Sequence, residues 1–141
     1  MGSKISWILL AVVGVLVLLV SLISANLAYR DDFPVGGVSI AEIASGRDAV
    51  LVGLRGSRGT AAAWGAAWAV LFLAVVLGPY KRGDVASWWG ILFSLLALGA
   101  IAGSRAIFLG SQAAGTGAPL ILLVVGIVAL LLDVKRLSGP R

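Results

Sequence analysis

Five polar or aromatic side chains could together form a contact site for an amphipathic molecule. They are one cation, two indoles and two amides: Arg105, Trp64, Trp68, Asn26 and Gln112. Trp64 and Trp68 are four residues apart, so they share one face of a helix. A guanidinium beside indole rings can hold a lipid headgroup. In the alternative, Arg105 extends to the outer membrane surface or pairs with an acid of the long loop. Asn26 then caps a helix end or faces the interface, and the indoles face lipid or pack between helices.

Catalysis is poorly supported, because the residue types on which most active sites depend are missing. The 141 residues include no histidine and no cysteine. This removes the commonest general base, a thiol nucleophile and most metal-ligand sets. The apolar runs contain no carboxylate pair and no phosphate-binding or zinc motif. We therefore predict a protein that is not an enzyme and has no metal or cofactor.

The composition indicates an integral membrane protein. Hydrophobic residues make up 60% of the chain, whereas a soluble domain is about 45–50% apolar. The net charge of +5 could suggest nucleic acid, but in so apolar a chain basic residues more often set topology and contact anionic lipid. We expect one transmembrane domain over residues 1–141, with membrane lipids and not nucleic acid as partners.

Four apolar runs predict four transmembrane helices. A span needs about 20 apolar residues, because the hydrocarbon core is about 30 Å thick and a helix rises about 1.5 Å per residue. The predicted fold is an all-α antiparallel bundle. Its spans are about residues 7–28, 60–77, 88–108 and 119–133. Gly78 and Pro79 end the second span, and the polar residues after them reverse the chain.

A long loop, residues 30–59, separates the first two predicted spans. Pro34 to Gly37 predicts a turn, and Ser39 followed by Glu42 matches a capping box at a helix start. The loop therefore contains either one or two short helices at the membrane surface or an ordinary segment packed across the bundle end. Arg55 and Arg58 are three residues apart and can face the same way. They either anchor phosphate headgroups or mark the water boundary.

Small residues predict close contacts between helices. Gly65 lies in an alanine-rich half of the second span, and Gly99 and Gly103 form a GxxxG pair in the third. Helices in a membrane associate through close packing, since lipid is as apolar as their side chains. We therefore expect these three glycines at helix–helix contacts.

One region of the sequence resembles a known family. Arg55-Gly-Ser-Arg-Gly precedes an alanine- and glycine-rich span, and a basic turn then leads from Gly78-Pro79-Tyr80-Lys81-Arg82-Gly83 to Trp88-Trp89. Over residues 55–135 this arrangement resembles DoxX-like proteins, which are small four-helix bacterial membrane proteins. The resemblance implies a fold and a bacterial origin more than it implies a function.

The basic residues predict which ends of the helices face the cytoplasm. One side has Lys4, Lys81, Arg82, Lys135, Arg136 and Arg141, and the other has Arg30, Arg47, Arg55, Arg58 and Arg105. Basic residues in short flanking segments orient a chain more strongly than those in a longer loop. We therefore place both termini in the cytoplasm, across a bacterial inner membrane. Tyr80 is expected at the interface, and Asp133 is expected in water.

These features favour a protein that binds rather than one that catalyses. The first interpretation is an accessory or scaffold subunit that packs against lipid and against other membrane subunits or copies of itself. The alternative is a binding protein for a lipid, a quinone-like compound or another hydrophobic small molecule. A third possibility is a subunit of an enzyme whose chemistry resides in another chain.

The topology can be tested with single cysteines at Ser3, Ser45 and Ser138, because the chain has no cysteine of its own. In intact cells, an impermeant thiol reagent is expected to label position 45 and to leave positions 3 and 138 unlabelled. Permeabilised cells, in which all three positions should react, provide the control. The reverse pattern in intact cells would place the termini outside.

Overall fold

The computed structural model describes residues 2–30, 32–35, 37–109 and 117–135. At residues 2, 3, 105, 106, 108, 109 and 117–119 only the backbone is described. Most of these residues are helical. The helices are α1 (Gly2–Arg30), α2 (Ile40–Ala44), α3 (Asp48–Val75), α4 (Val85–Leu109) and α5 (Gly117–Leu132), and a π-helical turn (Val76–Tyr80) follows α3.

Three of these helices are long and apolar enough to cross a membrane. The candidate spans within the described residues are Lys4–Arg30, Asp48–Tyr80 and Val85–Ser104, and a shorter apolar helix covers Leu120–Leu132. The predicted helical fold class is therefore confirmed, and the length and composition of the helices indicate an integral membrane protein. The fourth predicted span corresponds to the shorter helix.

Helix α3 begins twelve residues earlier than the sequence predicts. The second span was expected to start at Thr60, with residues 48–59 in a loop or a separate surface helix, but α3 is continuous from Asp48. Asp48 lies in the first turn, where a carboxylate interacts favourably with the helix dipole. The phenol of Tyr29 lies against Gly59, where a Cβ would collide with it. Packing of this kind extends a helix through glycines that weaken it in isolation.

A short hairpin and α2 lie between α1 and α3. The strands β1 (Pro34–Val35) and β2 (Val38–Ser39) pair antiparallel, with Val35 opposite Val38, around the turn that the sequence predicts. Ser39 then caps α2, because its hydroxyl accepts the Glu42 backbone N–H at 3.1 Å. The helix start predicted from the Ser39–Glu42 pattern is therefore confirmed.

The Gly78–Pro79 pair ends the second long helix, as the sequence predicts. Gly78 has φ −94° and ψ −105°, outside the helical region. The chain then passes through Gly83, whose φ of +98° suits glycine. Asp84 caps α4 by accepting hydrogen bonds from the Ser87 hydroxyl and from its backbone N–H. The Ser87 hydroxyl, and next its N–H, hold the pKa of Asp84 below its usual value.

The chain divides into two compact units. The first comprises Met1–Val15 and Leu71–Arg141, and the second comprises Leu16–Val70. Each is described below by itself. The single transmembrane domain inferred from the sequence stays a prediction.

In the first unit, α4 and α5 pack through glycines that face leucines. A Cβ on Gly99 of α4 would lie 2.6 Å from Leu123 Cδ2, and a Cβ on Gly126 of α5 would lie 2.8 Å from Leu95 Cδ1. Each helix thus places a leucine over a glycine of the other. Because Gly99 follows Leu95 whereas Leu123 precedes Gly126, the two helices run antiparallel. A Cβ on Gly103 would meet no described atom within 4 Å.

In the second unit, α1 and α3 pack in the same manner. A Cβ on Gly65 would lie 2.6 Å from the Ser21 hydroxyl oxygen. Ser24 accepts a hydrogen bond from Arg58, and Tyr29 lies over Gly59. Later positions on α1 meet earlier positions on α3, so this pair is also antiparallel.

The α4–α5 packing predicts unequal effects of leucine at two glycines of α4. Gly99→Leu should destabilise the fold by about 1–3 kcal/mol, because the added side chain overlaps Leu123. Gly90→Leu is the matched control, since Gly90 is exposed and a Cβ there meets nothing within 4 Å. The midpoint of thermal unfolding in detergent measures both. Equal midpoints for the two variants would show that Gly99 is not at a tight contact.

Candidate functional site

A buried set of hydrogen bonds joins three separate segments of the first unit. Tyr80 donates its hydroxyl proton to Asp133 Oδ2 at 3.0 Å, and its oxygen lies 2.5 Å from Ser6 Oγ. Ser6 donates to the backbone carbonyl of Ala129 at 2.8 Å. Ser6 and Tyr80 are fully buried, and Asp133 is 6% exposed. We call Ser6, Tyr80 and Asp133 the buried polar cluster.

Local backbone structure places each member of the cluster. Ser6 lies in the second turn of α1, and Tyr80 is the last residue of the π-helical turn after Gly78 and Pro79. Asp133 follows the last residue of α5, and its N–H bonds to the Leu130 carbonyl at 3.1 Å. A carboxylate at a helix C-terminus is disfavoured by the helix dipole. Its bond with the Tyr80 hydroxyl offsets part of that cost.

Aromatic contacts flank the buried polar cluster. The Trp88 indole N–H donates to the Leu130 carbonyl at 3.2 Å, and this side chain is 5% exposed. The Lys81 ammonium lies 4.4 Å from the centre of the half-buried Trp7 ring, within cation–π range. The start of α1 and the residues around the π-helical turn are thus joined by polar contacts as well as by apolar packing.

The cluster has fewer hydroxyl protons than it has close contacts between pairs of oxygen atoms. Ser6 and Tyr80 supply one proton each for three contacts: Ser6 with Ala129, Ser6 with Tyr80, and Tyr80 with Asp133. Ser6 uses its proton to donate to Ala129, and Tyr80 uses its proton to donate to Asp133. Among the described contacts, neither hydroxyl proton is then left for a hydrogen bond between Ser6 and Tyr80. A hydrogen-bond donor at position 133 would supply the missing proton. That donor could bond to the Tyr80 oxygen, and Tyr80 could then donate its own proton to Ser6.

The hydrogen bonds of the cluster join separate segments of the unit. Both hydroxyls and the carboxylate bond to protein atoms inside the unit. Among the described residues, no group of three or more Asp, Glu, His or Cys side chains could hold a metal ion. The cluster therefore acts as a polar connection between the start of α1, the π-helical turn and the end of α5.

The five residues singled out from the sequence are not described as one site. Trp64 is 74% exposed, Asn26 is exposed, and Trp68 is half-buried. The Arg105 side chain and Gln112 lie outside the described residues. The contact site built from these five residues stays a prediction.

The buried polar cluster was missed by the sequence analysis. Asp133 was expected in water, and this expectation is wrong because the structure buries its side chain. Tyr80 is also buried, and its predicted level at the membrane interface stays a prediction. Two sequence signals were available. An acidic residue directly follows an apolar helix, where the dipole disfavours it, and the tyrosine directly follows Gly-Pro, where the backbone bends.

The comparisons with known proteins do not identify a family. The chain matches no protein-family model, and neither curated proteins nor solved structures gave a match. The resemblance to DoxX-like proteins over residues 55–135 therefore stays a prediction.

Loss of the Tyr80 hydroxyl should destabilise the protein. In Tyr80→Phe, Ser6 and Asp133 each lose a hydrogen-bond partner in a buried environment, at a cost of about 1–3 kcal/mol. Tyr29→Phe is the matched control, because Tyr29 is 63% exposed. Unfolding in detergent, followed by circular dichroism, compares the two variants. A Tyr80→Phe variant as stable as the control would mean that the cluster contributes nothing.

The proton count predicts a different result at position 133. Asp133→Asn should keep more stability than Asp133→Leu, because the amide can still form a hydrogen bond with the Tyr80 hydroxyl. Asp133→Leu cannot bond to Tyr80, so it should lose stability. The same unfolding measurement applies. A loss in Asp133→Asn as large as in Asp133→Leu would show that the negative charge itself is required.

Proposed function

We propose that this protein is a non-catalytic accessory or scaffold subunit of a bacterial inner-membrane complex. In this proposal its helices pack against lipid and against helices of another subunit or a second copy. We further propose four antiparallel transmembrane helices with both termini in the cytoplasm. The observation that carries the proposal is an exposed aromatic pair on α4.

Trp89 and Phe93 form this aromatic pair. Their rings stack with centroids 5.9 Å apart, and the side chains are 45% and 62% exposed. The buried Trp88 meets Trp89 edge to face, with centroids 5.0 Å apart. The pair is therefore supported from inside the unit. Large aromatic side chains held in place are typical of the residues that contribute most to protein–protein interfaces.

Exposed aliphatic residues continue along the same helix and along its neighbour. On α4 and α5 the most exposed include Ile101, Ile107, Ile121 and Val124, all at least 60% exposed. In a membrane these surfaces meet either lipid or other helices, and neither carries a cost. The aromatic pair favours a protein partner, since stacking against a second helix makes use of its fixed geometry.

The absence of catalytic residue types supports the same proposal. With no histidine or cysteine in the sequence, the groups that most often transfer protons or form covalent intermediates are missing. The buried polar cluster bonds within the protein. An accessory role needs a stable fold that presents surfaces to a partner. The glycine–leucine packing and the buried polar cluster stabilise the fold.

Native mass spectrometry from mild detergent tests the proposal. We expect the protein to be released in a stoichiometric complex with another polypeptide or with a second copy. Phe93→Ala should weaken that complex and leave the protein's own stability unchanged, because Phe93 is 62% exposed. Leu95→Ala is the matched contrast. It removes a side chain that is 1% exposed and should cost about 2–5 kcal/mol of stability.

One result would contradict the accessory role, and a second would contradict the interface assigned to it. A monomer that carries one small hydrophobic molecule in stoichiometric amount would support the binding-protein alternative. A complex that survives Phe93→Ala unchanged would show that the aromatic pair is not part of its interface.

A further inference from the structure

Two arginines near the start of α3 lie on one face of the helix. Arg55 and Arg58 are three residues apart, about one turn, and Gly59 is four residues from Arg55 on the same face. The apolar part of α3 begins at Thr60. With a rise of about 1.5 Å per residue, Arg58 lies about 3 Å and Arg55 about 8 Å before Thr60 along the helix axis.

The end of α1 lies at the same level in the second unit. The Tyr29 phenol is against Gly59, and Tyr29 is 63% exposed. Tyrosine is enriched where the hydrocarbon region meets the lipid headgroups. Both its position and the start of the apolar run therefore place Arg55 and Arg58 at headgroup level.

The guanidinium of Arg58 is held in one orientation. Its Nε donates to Ser24 Oγ at 3.2 Å, and its Cζ lies 4.1 Å from the centre of the Phe33 ring. Phe33 is itself buried, at 7% exposed. A guanidinium fixed through one nitrogen and one face loses little further freedom when its other edge binds an anion.

Arg55 has a buried donor without a hydrogen-bond partner among the described residues. Its Nε is inaccessible to solvent and makes no hydrogen bond among the described residues. Leaving a buried charged donor unsatisfied is costly, and native proteins almost always pair such groups with protein, water or an ion. A phosphate that drew the guanidinium outward would give this nitrogen an acceptor.

Asp32, which interacts with Arg55 through its charge, is engaged by the loop. Asp32 accepts the Ala41 backbone N–H at 3.2 Å. The Ser39 hydroxyl, and to a smaller extent the Ala41 N–H and the charge of Arg55, hold the pKa of Asp32 below its usual value. Asp32 thus acts on Arg55 through its charge, while its hydrogen bonds go to the residues that begin α2.

We propose that Arg55 and Arg58 form a binding site for a phosphate group at headgroup level. Arginine suits this role because its planar fork can bond two phosphate oxygens at once. The phosphate could belong to an anionic lipid or could be a soluble ion, and the two sources share this chemistry. The site is on other residues than the aromatic pair of α4, so it stands or fails separately from the accessory role.

The test uses the full-length protein in neutral detergent with three probes. They are short-chain phosphatidylglycerol, short-chain diacylglycerol, which lacks the phosphate, and inorganic phosphate. Native mass spectrometry measures lipid retention, and the thermal-unfolding midpoint measures stabilisation by each probe. We expect phosphatidylglycerol to be retained and to raise the midpoint, and diacylglycerol to do neither. Equal stabilisation by inorganic phosphate would assign the site to a soluble phosphate.

Charge-removing variants locate the site. Arg55→Gln and Arg58→Gln should each weaken retention of the phosphate-bearing probe about tenfold, a typical effect of losing a charge-assisted hydrogen bond. Arg47→Gln is the matched control, because it removes an exposed arginine from the same part of the chain. Its retention should equal that of the wild type.

Lysine variants keep the test valid if a glutamine variant does not fold. Arg55→Lys and Arg58→Lys preserve the charge but not the two-pronged contact, so retention should again fall. Equal retention of phosphatidylglycerol and diacylglycerol would overturn the proposal. So would the same loss in Arg47→Gln as in Arg55→Gln, or wild-type retention in both lysine variants.

Discussion

The hydrogen bonds of the Tyr80 hydroxyl connect parts of the first unit that apolar packing alone would hold loosely. In an apolar environment the hydrophobic effect does not favour one helix contact over another, because lipid and side chains are equally apolar. A hydroxyl buried between Ser6 and Asp133 has no water with which to exchange these partners. The start of α1 and the end of α5 are therefore held to the π-helical turn.

This connection depends on the backbone bend at Gly78 and Pro79. Proline interrupts the regular α-helical ladder, and Gly78 adopts a conformation outside the helical region. The π-helical turn that results ends at Tyr80, whose side chain is fully buried. A sequence feature that serves to end a helix also positions the central residue of the buried polar cluster.

The second unit shows the same constraint on buried polar groups. Arg58 is held by Ser24 and Phe33, and Arg55 keeps a buried nitrogen without a hydrogen-bond partner among the described residues. In water an arginine nitrogen without a protein partner is ordinary, because water bonds to it. When the nitrogen is buried, the lack of a hydrogen-bond partner costs free energy and therefore needs an explanation. The arginine pair is thus the feature of this unit that most directly suggests a ligand.

The sequence by itself determined the helical class, three long apolar helices and a shorter one, the cap at Ser39 and the helix end at Gly78. These features depend on composition and on neighbours within a few residues, which a single chain displays directly. Only the tertiary structure decided that α3 begins at Asp48 and that Asp133 and Tyr80 are buried. Ser6, Tyr80 and Asp133 are far apart in the chain, and each residue's surroundings depend on segments that local patterns do not place. For the same reason the GxxxG motif could not show that Gly99 faces Leu123, whereas an added Cβ at Gly103 would meet no described atom within 4 Å.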